Sequence, residues 1–338
     1  MTAAARLAAC LLIATALVIP VVQAQSPLTA DDRRAVLVAV ADLIEQRYVF
    51  EDVGRTLATD LRRAAAADKW SEISDATAFA ETLTAHLRER ANDGHLGLSY
   101  SEKPLPDDAE SAERTYTAAE MDRYYGAQLN YGFEQVRRLD ANIGYLDLRV
   151  FAPTATAGEV AVAAMTMLAQ SSALIIDLRQ NGGGHGDMAH LLAAYLLDES
   201  RPMSGTYDRP SGTRTWEMTP TWVPGRRFGK ARPVYVLISN RTFSAAEGFT
   251  YDLQALERVT VVGERSGGGA HPFKYHRAHP HFVLSLAEGR SINPVTDGNW
   301  QGTGVVPDVA VPADQALDVA MKLARTAIAS GGSSRQQP

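Results

Sequence analysis

The residues best placed to do chemistry lie between Val234 and Glu247. Val234-Tyr235-Val236-Leu237-Ile238 is an apolar, β-branched run of the kind that forms a buried parallel strand, and it breaks into the polar turn Ser239-Asn240-Arg241-Thr242. Ser244 follows where Ala245-Ala246-Glu247 begins a helical pattern. A hydroxyl at a strand-to-helix turn stands beside the unpaired N–H groups of the helix N-terminus, so Ser244 could attack a carbonyl carbon while those donors hold the oxyanion. It could equally be a helix N-cap, with Glu247 completing a Ser-x-x-Glu capping box. A second candidate element is Asp177-Leu178-Arg179-Gln180-Asn181-Gly182-Gly183-Gly184, at the C-terminal end of another apolar run. Ligands collect at such strand ends in open α/β sheets, and three glycines let backbone N–H groups approach a ligand closely. The alternatives are a tight structural turn or an oxyanion donor.

Several other chemistries are excluded. The glycine loop lacks a following Gly-Lys-Ser/Thr and is not Gly-x-Gly-x-x-Gly, so it is a poor phosphate loop. No Gly-x-Ser-x-Gly surrounds Ser244, and there is no His-Glu-x-x-His. His271, His276, His279 and His281 are numerous enough to suggest a metal, but neither an acid nor a helical spacing supports a zinc site. His95 lies in the turn Asn92-Asp93-Gly94-His95, where most histidines have no catalytic role. No metal or cofactor is implied.

The elements that must position these residues divide the chain. Residues 1–24 read as a signal peptide: Arg6, an apolar run to Val22, and small residues at Val22-Gln23-Ala24. A retained N-terminal anchor is the alternative. Cleavage after Ala24 would remove Cys10, the only cysteine, and with Arg6 would move the net charge from −6 to −7 (32 basic against 39 acidic residues). No basic cluster suggests nucleic acid, and no later stretch approaches a membrane span. The expected location is periplasmic or secreted. Residues 25–100 are expected to form a helical N-terminal domain, with Asp31-Asp32 opening one helix and Phe79, Leu83 and Leu87 on one face of another. Residues 101–125 read as a linker. Across 126–329, apolar strands at Ile143–Leu148, Ala173–Leu178, Val234–Ile238 and Val259–Gly263 alternate with helical segments, indicating an α/β domain. Gly267–Gly269 and Phe282–Leu286 suggest a final antiparallel hairpin, and 330–338 a disordered tail. No feature specifies an oligomeric state.

In order along the chain stand Leu174 to Gly184, Thr242-Phe243-Ser244-Ala245-Ala246-Glu247, Val262-Gly263-Glu264-Arg265-Ser266-Gly267-Gly268-Gly269-Ala270-His271-Pro272 and Trp300-Gln301-Gly302-Thr303-Gly304-Val305-Val306-Pro307-Asp308. Together they resemble the tail-specific (C-terminal processing) serine protease superfamily, in the branch of the tricorn core protease and interphotoreceptor retinoid-binding protein. The resemblance covers residues 131–315, and segment 26–100 also looks like the N-terminal domain of the retinoid-binding-like branch. It implies a ClpP/crotonase-like core, with a parallel-rich sheet, flanking helices and no PDZ domain. It further implies an exported serine-type peptidase acting on a peptide or protein substrate, with a peptide- or apolar-ligand-binding protein on the same fold as the alternative. Residue by residue, the resemblance makes Ser244 the nucleophile and, through an Asp-Ser-His-type motif matched by Asp93-Gly94-His95, makes His95 the general base. An imidazole with a free pKa near 6.5 suits that task. The oxyanion donors would be Gly183 and the N–H of Ala245. The chain departs from the branch at Gly94, where a supporting serine can stand. It departs again at Gln301, a possible relay residue where the branch carries glutamate. The Ser–Lys type places its lysine where this chain has Gly269, so a Ser–Lys dyad is not expected, and nothing assigns that role to Lys274.

Overall fold

In the computed structural model, residues 27–105 and 118–333 are described, without the side chains of 118–121 and 331–333. The expected signal peptide and residues 106–117 of the expected linker lie outside the described residues. In chain order the elements are α1 (Ala30–Arg47), α2 (Glu51–Ala66), α3 (Ala76–Ala91), β1 (Gly97–Tyr100), α4 (Ala118–Tyr125), β2 (Phe133–Leu139), β3 (Ile143–Leu148), α5 (Thr154–Leu168), β4 (Ala173–Asp177) and α6 (Gly186–Leu196). There follow β5 (Pro202–Asp208), β6 (Thr213–Met218), β7 (Val234–Ile238), α7 (Ala245–Ala255), β8 (Thr260–Gly263), β9 (Phe273–His279), β10 (Phe282–Ala287), β11 (Gly289–Ile292), β12 (Val309–Ala310) and α8 (Ala316–Ser333).

The central sheet has the order β12-β8-β7-β4-β3-β2 and is parallel except for the β2–β3 pair. Its inner strands are apolar on both faces because both faces are covered. Along β4, Leu174 and Ile176 face the core shared with α5, α6 and α7, while Ala173 and Ile175 face the core under α8. Helix α8 meets the sheet through Ala316, Ala320 and Ala324, a fully buried stripe of small side chains at one-turn spacing that permits close approach.

The N-terminal helices do not make their core alone. Val36, Val40 and Ile44 of α1, Leu57 and Leu61 of α2 and Phe79, Leu83 and Leu87 of α3 pack on Phe282, Leu284 and Leu286 of β10. That strand lies at the centre of an antiparallel sheet, β1-β10-β9, so the hairpin expected near 267–286 forms but serves the helical module. It is not final either, since β11, β12 and α8 follow. Helix α1 starts as its sequence suggests: Thr29 and Asp32 cap one another, Asp32 N–H donating to Thr29 Oγ1 at 3.1 Å and Thr29 N–H to Asp32 Oδ2 at 3.2 Å.

Two expectations are corrected. Residues 330–333 of the tail expected to be disordered belong to α8, while the rest of that tail, 334–338, lies outside the described residues. The end of the expected linker, Ala118–Tyr125, is the helix α4. A third sheet, the antiparallel β11-β5-β6, was not foreseen, since the residues of β6 are all exposed.

Candidate active site

The parallel register places the two chemistry-bearing loops side by side. Asp177 at the end of β4 is paired with Leu237 near the end of β7, so the chain leaves both strands at the same sheet edge. Three hydrogen bonds pin the loops together: Ser239 Oγ donates to Arg179 O at 2.6 Å, Thr242 Oγ1 to Leu178 O at 2.8 Å and Phe243 N–H to Asn181 O at 3.1 Å. Gly183, at φ +110°, then passes so close to the serine turn that a Cβ on it would sit 2.7 Å from Ser244 Cβ. Only a glycine tolerates both that φ and that approach.

Ser244 stands at the N-cap position of α7 with φ +53° and ψ −123°, a conformation L-residues rarely adopt and one that costs on the order of 1–3 kcal/mol. Its neighbours hold it there. Ser244 N–H donates to Glu247 Oε2 at 2.9 Å, half of the anticipated capping box. In return Glu247 N–H points back at Ser244 and donates to its carbonyl at 2.9 Å, and the Ser244 hydroxyl donates to no partner among the described residues. The serine is therefore a cap by position, and among the described residues its hydroxyl proton is uncommitted.

Glu247 ties the remaining motif to this turn. The fully buried carboxylate also accepts Ser266 Oγ at 2.5 Å, Gly268 N–H at 2.6 Å and Gly269 N–H at 2.8 Å. Burial pushes its pKa up against these four hydrogen bonds, which pull it down. The Trp300 segment closes over the same glycines, its indole N–H donating to Gly269 O at 2.9 Å.

Ser244, Ala245 and His95 line one cavity of about 480 Å³, together with Gly184, Gly269, His271 and Phe273. The His95 ring lies between Phe273 (centroids 5.0 Å apart, stacked) and Phe243 (4.9 Å, tilted). Burial drives its pKa down to about 4, against the pull of Asp93, so the imidazole is neutral at pH 7 and able to accept a proton. No hydrogen bond joins His95 to Ser244 among the described residues.

Phe243 also accounts for two departures from the motif. A Cβ on Gly94 would lie 2.9 Å from Phe243 Cζ, and one on Gly269 would overlap the same ring. Neither a serine at 94 nor a lysine at 269 fits while this phenylalanine is in place. Lys274 is engaged elsewhere, with Glu288 at 3.1 Å and Asp208 at 3.6 Å.

Among the described residues, Gln301 makes no hydrogen bond to His95. Its Oε1 accepts Ala270 N–H at 2.7 Å and its Nε2 donates to Asn92 O at 3.1 Å, a donor–acceptor pair that an amide satisfies and a carboxylate cannot. Of the two expected oxyanion donors, Ala245 N–H has no partner among the described residues, whereas Gly183 N–H donates to Asn181 Oδ1 at 2.8 Å. The next N–H of the loop, that of Gly184, is without a partner among the described residues, and Gly184 lines the same cavity.

Sequence reasoning passed over two residues. Asp93 is buried beneath His95, and His271, also buried, points a ring nitrogen at Asp93 from 3.6 Å. Asp93 was in view as part of the turn, and the signal for His271 was its place directly behind the glycine run. Among the described residues, no group of three or more His, Cys, Asp or Glu side chains could hold a metal ion.

A serine at a strand-to-helix turn, a neutral histidine on the same cavity and unpaired backbone donors are the kinds of group that acyl-transfer chemistry uses. The comparisons agree: a model of peptidase family S41 matches residues 142–311, and one described as the N-terminal domain of peptidase S41 in eukaryotic IRBP matches residues 26–136. The chain belongs to peptidase family S41. Among solved structures it is similar to a putative peptidase from Parabacteroides merdae (20% identity, TM-score 0.62, covering 86% of this chain and 96% of that one). It is also similar to mature CPAF (13%, 0.62, 90% and 98%) and to the photosystem II D1 C-terminal processing protease (17%, 0.51, 83% and 94%). At these identities the likeness speaks for the fold, a parallel-rich sheet with flanking helices and an N-terminal helical region.

Proposed function

We propose that the chain is an exported peptidase that cleaves peptide bonds with Ser244 as nucleophile and His95 as general base. The observation that carries this reading is the Ser244 hydroxyl, its proton uncommitted among the described residues, held at φ +53° on the wall of the cavity that His95 also lines. In the reaction, His95 Nε2 takes the hydroxyl proton as Oγ bonds to the scissile carbonyl carbon, and the carbonyl electrons move onto oxygen. The N–H of Ala245 and an N–H of the 182–184 loop receive that oxyanion; losing one such donor costs about 2.7–4 kcal/mol of transition-state stabilisation. Collapse of the intermediate breaks the C–N bond, His95 passes its proton to the leaving amine, and water attacks the acyl-serine by the same route.

A fluorophosphonate probe tests the assignment. The wild type should be labelled, Ser244→Ala should not, and His95→Ala should be labelled far more slowly. Labelling of Ser244→Ala equal to wild type would overturn it. Export rests on the apolar, acid-free segment 1–24, and the mass of protein recovered from the periplasm or medium should correspond to a chain beginning at Gln25.

A further inference from the structure

We propose that Asp93 is the residue that orients His95, taking the supporting role that position 301 does not fill. The inference rests on the Ser244–His95 reading. The carboxylate is 1% exposed and sits between two imidazoles, one oxygen turned to each. Oδ1 accepts the backbone N–H of His95 at 2.9 Å and lies 3.9 Å from its Nδ1. Oδ2 accepts the hydroxyl of Tyr48 at 3.1 Å and lies 3.6 Å from His271 Nδ1. His95 Nδ1 is sealed from solvent and has no hydrogen-bond partner among the described residues, so about 1 Å of ring or carboxylate movement turns an orphaned nitrogen into a charge-assisted bond.

The chemistry requires a carboxylate on that nitrogen. The two nitrogens of an imidazole lie on opposite edges, so an anion at Nδ1 fixes the proton there and leaves Nε2 unprotonated toward the cavity. As Nε2 takes the serine proton, the ring becomes an imidazolium whose charge the carboxylate stabilises without itself being protonated. Gln301 cannot do this, since both ends of its amide are committed to Ala270 and Asn92. Asp93 is also kept charged. Burial pushes its pKa up, but His271 and the His95 N–H more than reverse this and bring it below the ordinary aspartate value. The fixed geometry has three sources: Tyr48 at the C-cap of α1, the turn after α3, and His271 behind the glycine run. The titratable and charged groups that face His95 are Asp93, His271 and Arg88.

Two readouts on the full chain separate a positioning role from a structural one. The first is the tautomer of His95, read from its ring ¹⁵N shifts and assigned by their loss in a His95→Gln variant. The wild type should carry its proton on Nδ1, and Asp93→Asn should shift the population to the Nε2–H form. The second is kinetic. Asp93→Asn should lower kcat at least about a hundredfold with KM little changed, and should move the acid limb of the pH profile to lower pH. Asp93→Glu should restore part of kcat and the wild-type limb. Tyr48→Phe keeps the carboxylate but frees Oδ2, and should lower kcat severalfold even if Asp93→Asn does not fold. An unchanged tautomer in Asp93→Asn, or unchanged kcat and pH profile in either variant, overturns the proposal. If Ser244→Ala is dead while Asp93→Asn has wild-type kcat, the peptidase assignment stands and only the role of Asp93 falls.

Discussion

Glu247→Gln removes one oxygen from the densest polar junction of the site, and its cost can be worked from the hydrogen bonds. The carboxylate accepts four donors, two on each oxygen, and the replacing amide must turn its NH₂ toward one of those pairs. Toward Gly269 and Ser244 it would orphan two backbone N–H groups. Toward Ser266 and Gly268 it orphans one, and the Ser266 hydroxyl must turn into an acceptor although it already receives Val305 N–H at 2.6 Å. The second orientation is cheaper. A buried donor without a partner costs about 1–3 kcal/mol, and the hydrogen bonds that remain lose their charge assistance, so destabilisation by about 2–4 kcal/mol is expected. Against a total of about 5–15 kcal/mol the variant should still fold. Urea unfolding should show a lower midpoint with an unchanged slope, and fluorophosphonate labelling should slow as the Ser244 turn loosens. A shift below about 0.5 kcal/mol would refute the reasoning, because it would mean that the buried group is already a neutral acid and that an amide is its close equivalent.

Two further outcomes follow from the site. His95 must be neutral to act, and burial lowers its pKa to about 4, so kcat/KM on a fluorogenic peptide should hold from neutral pH down to about 5 and then fall with an acid limb near 4; a limb near 6.5 would show a solvated ring. Gln301→Glu, which restores the residue of the related branch, should not raise kcat. It should destabilise by about 1–3 kcal/mol in urea, because it loses the bond to Asn92 O and sets a carboxylate against that carbonyl; a tenfold gain in kcat would show that position 301 reaches His95 after all.

How much of this was legible beforehand depended on whether the cause was local. The runs at Ile143, Ala173, Val234 and Val259 are largely apolar and flanked by turns, so four of the six strands of the central sheet could be read from the sequence, while the outer strands β2 and β12 could not. Helix α3 announced itself through Phe79, Leu83 and Leu87. Ser244 could be placed at its turn because strand, polar break and helix start are adjacent in sequence. The partners of Gln301 could not be foreseen, since Asn92 and Ala270 are main-chain groups brought in from distant segments. Nor could the meeting of Asp93 with His271, which depends on the β1–β10–β9 sheet drawing the two ends of the chain together. The strand β6 was invisible for a different reason: an exposed edge has no buried face to impose a pattern.

The shared core of α1, α2, α3 and β10 has a consequence for the order of events as the chain is made. The helical module that carries His95 is made first, yet its apolar face stays uncovered until Phe282, Leu284 and Leu286 arrive. The sheet that carries Ser244 likewise waits for Val309 and Ala310 to add its outer strand and for α8 to cover its second face. A polypeptide emerging from its N-terminus therefore holds histidine and serine on two unfinished bodies for most of its synthesis. If Ser244 and His95 act together as proposed, cutting ability is the last property the molecule acquires.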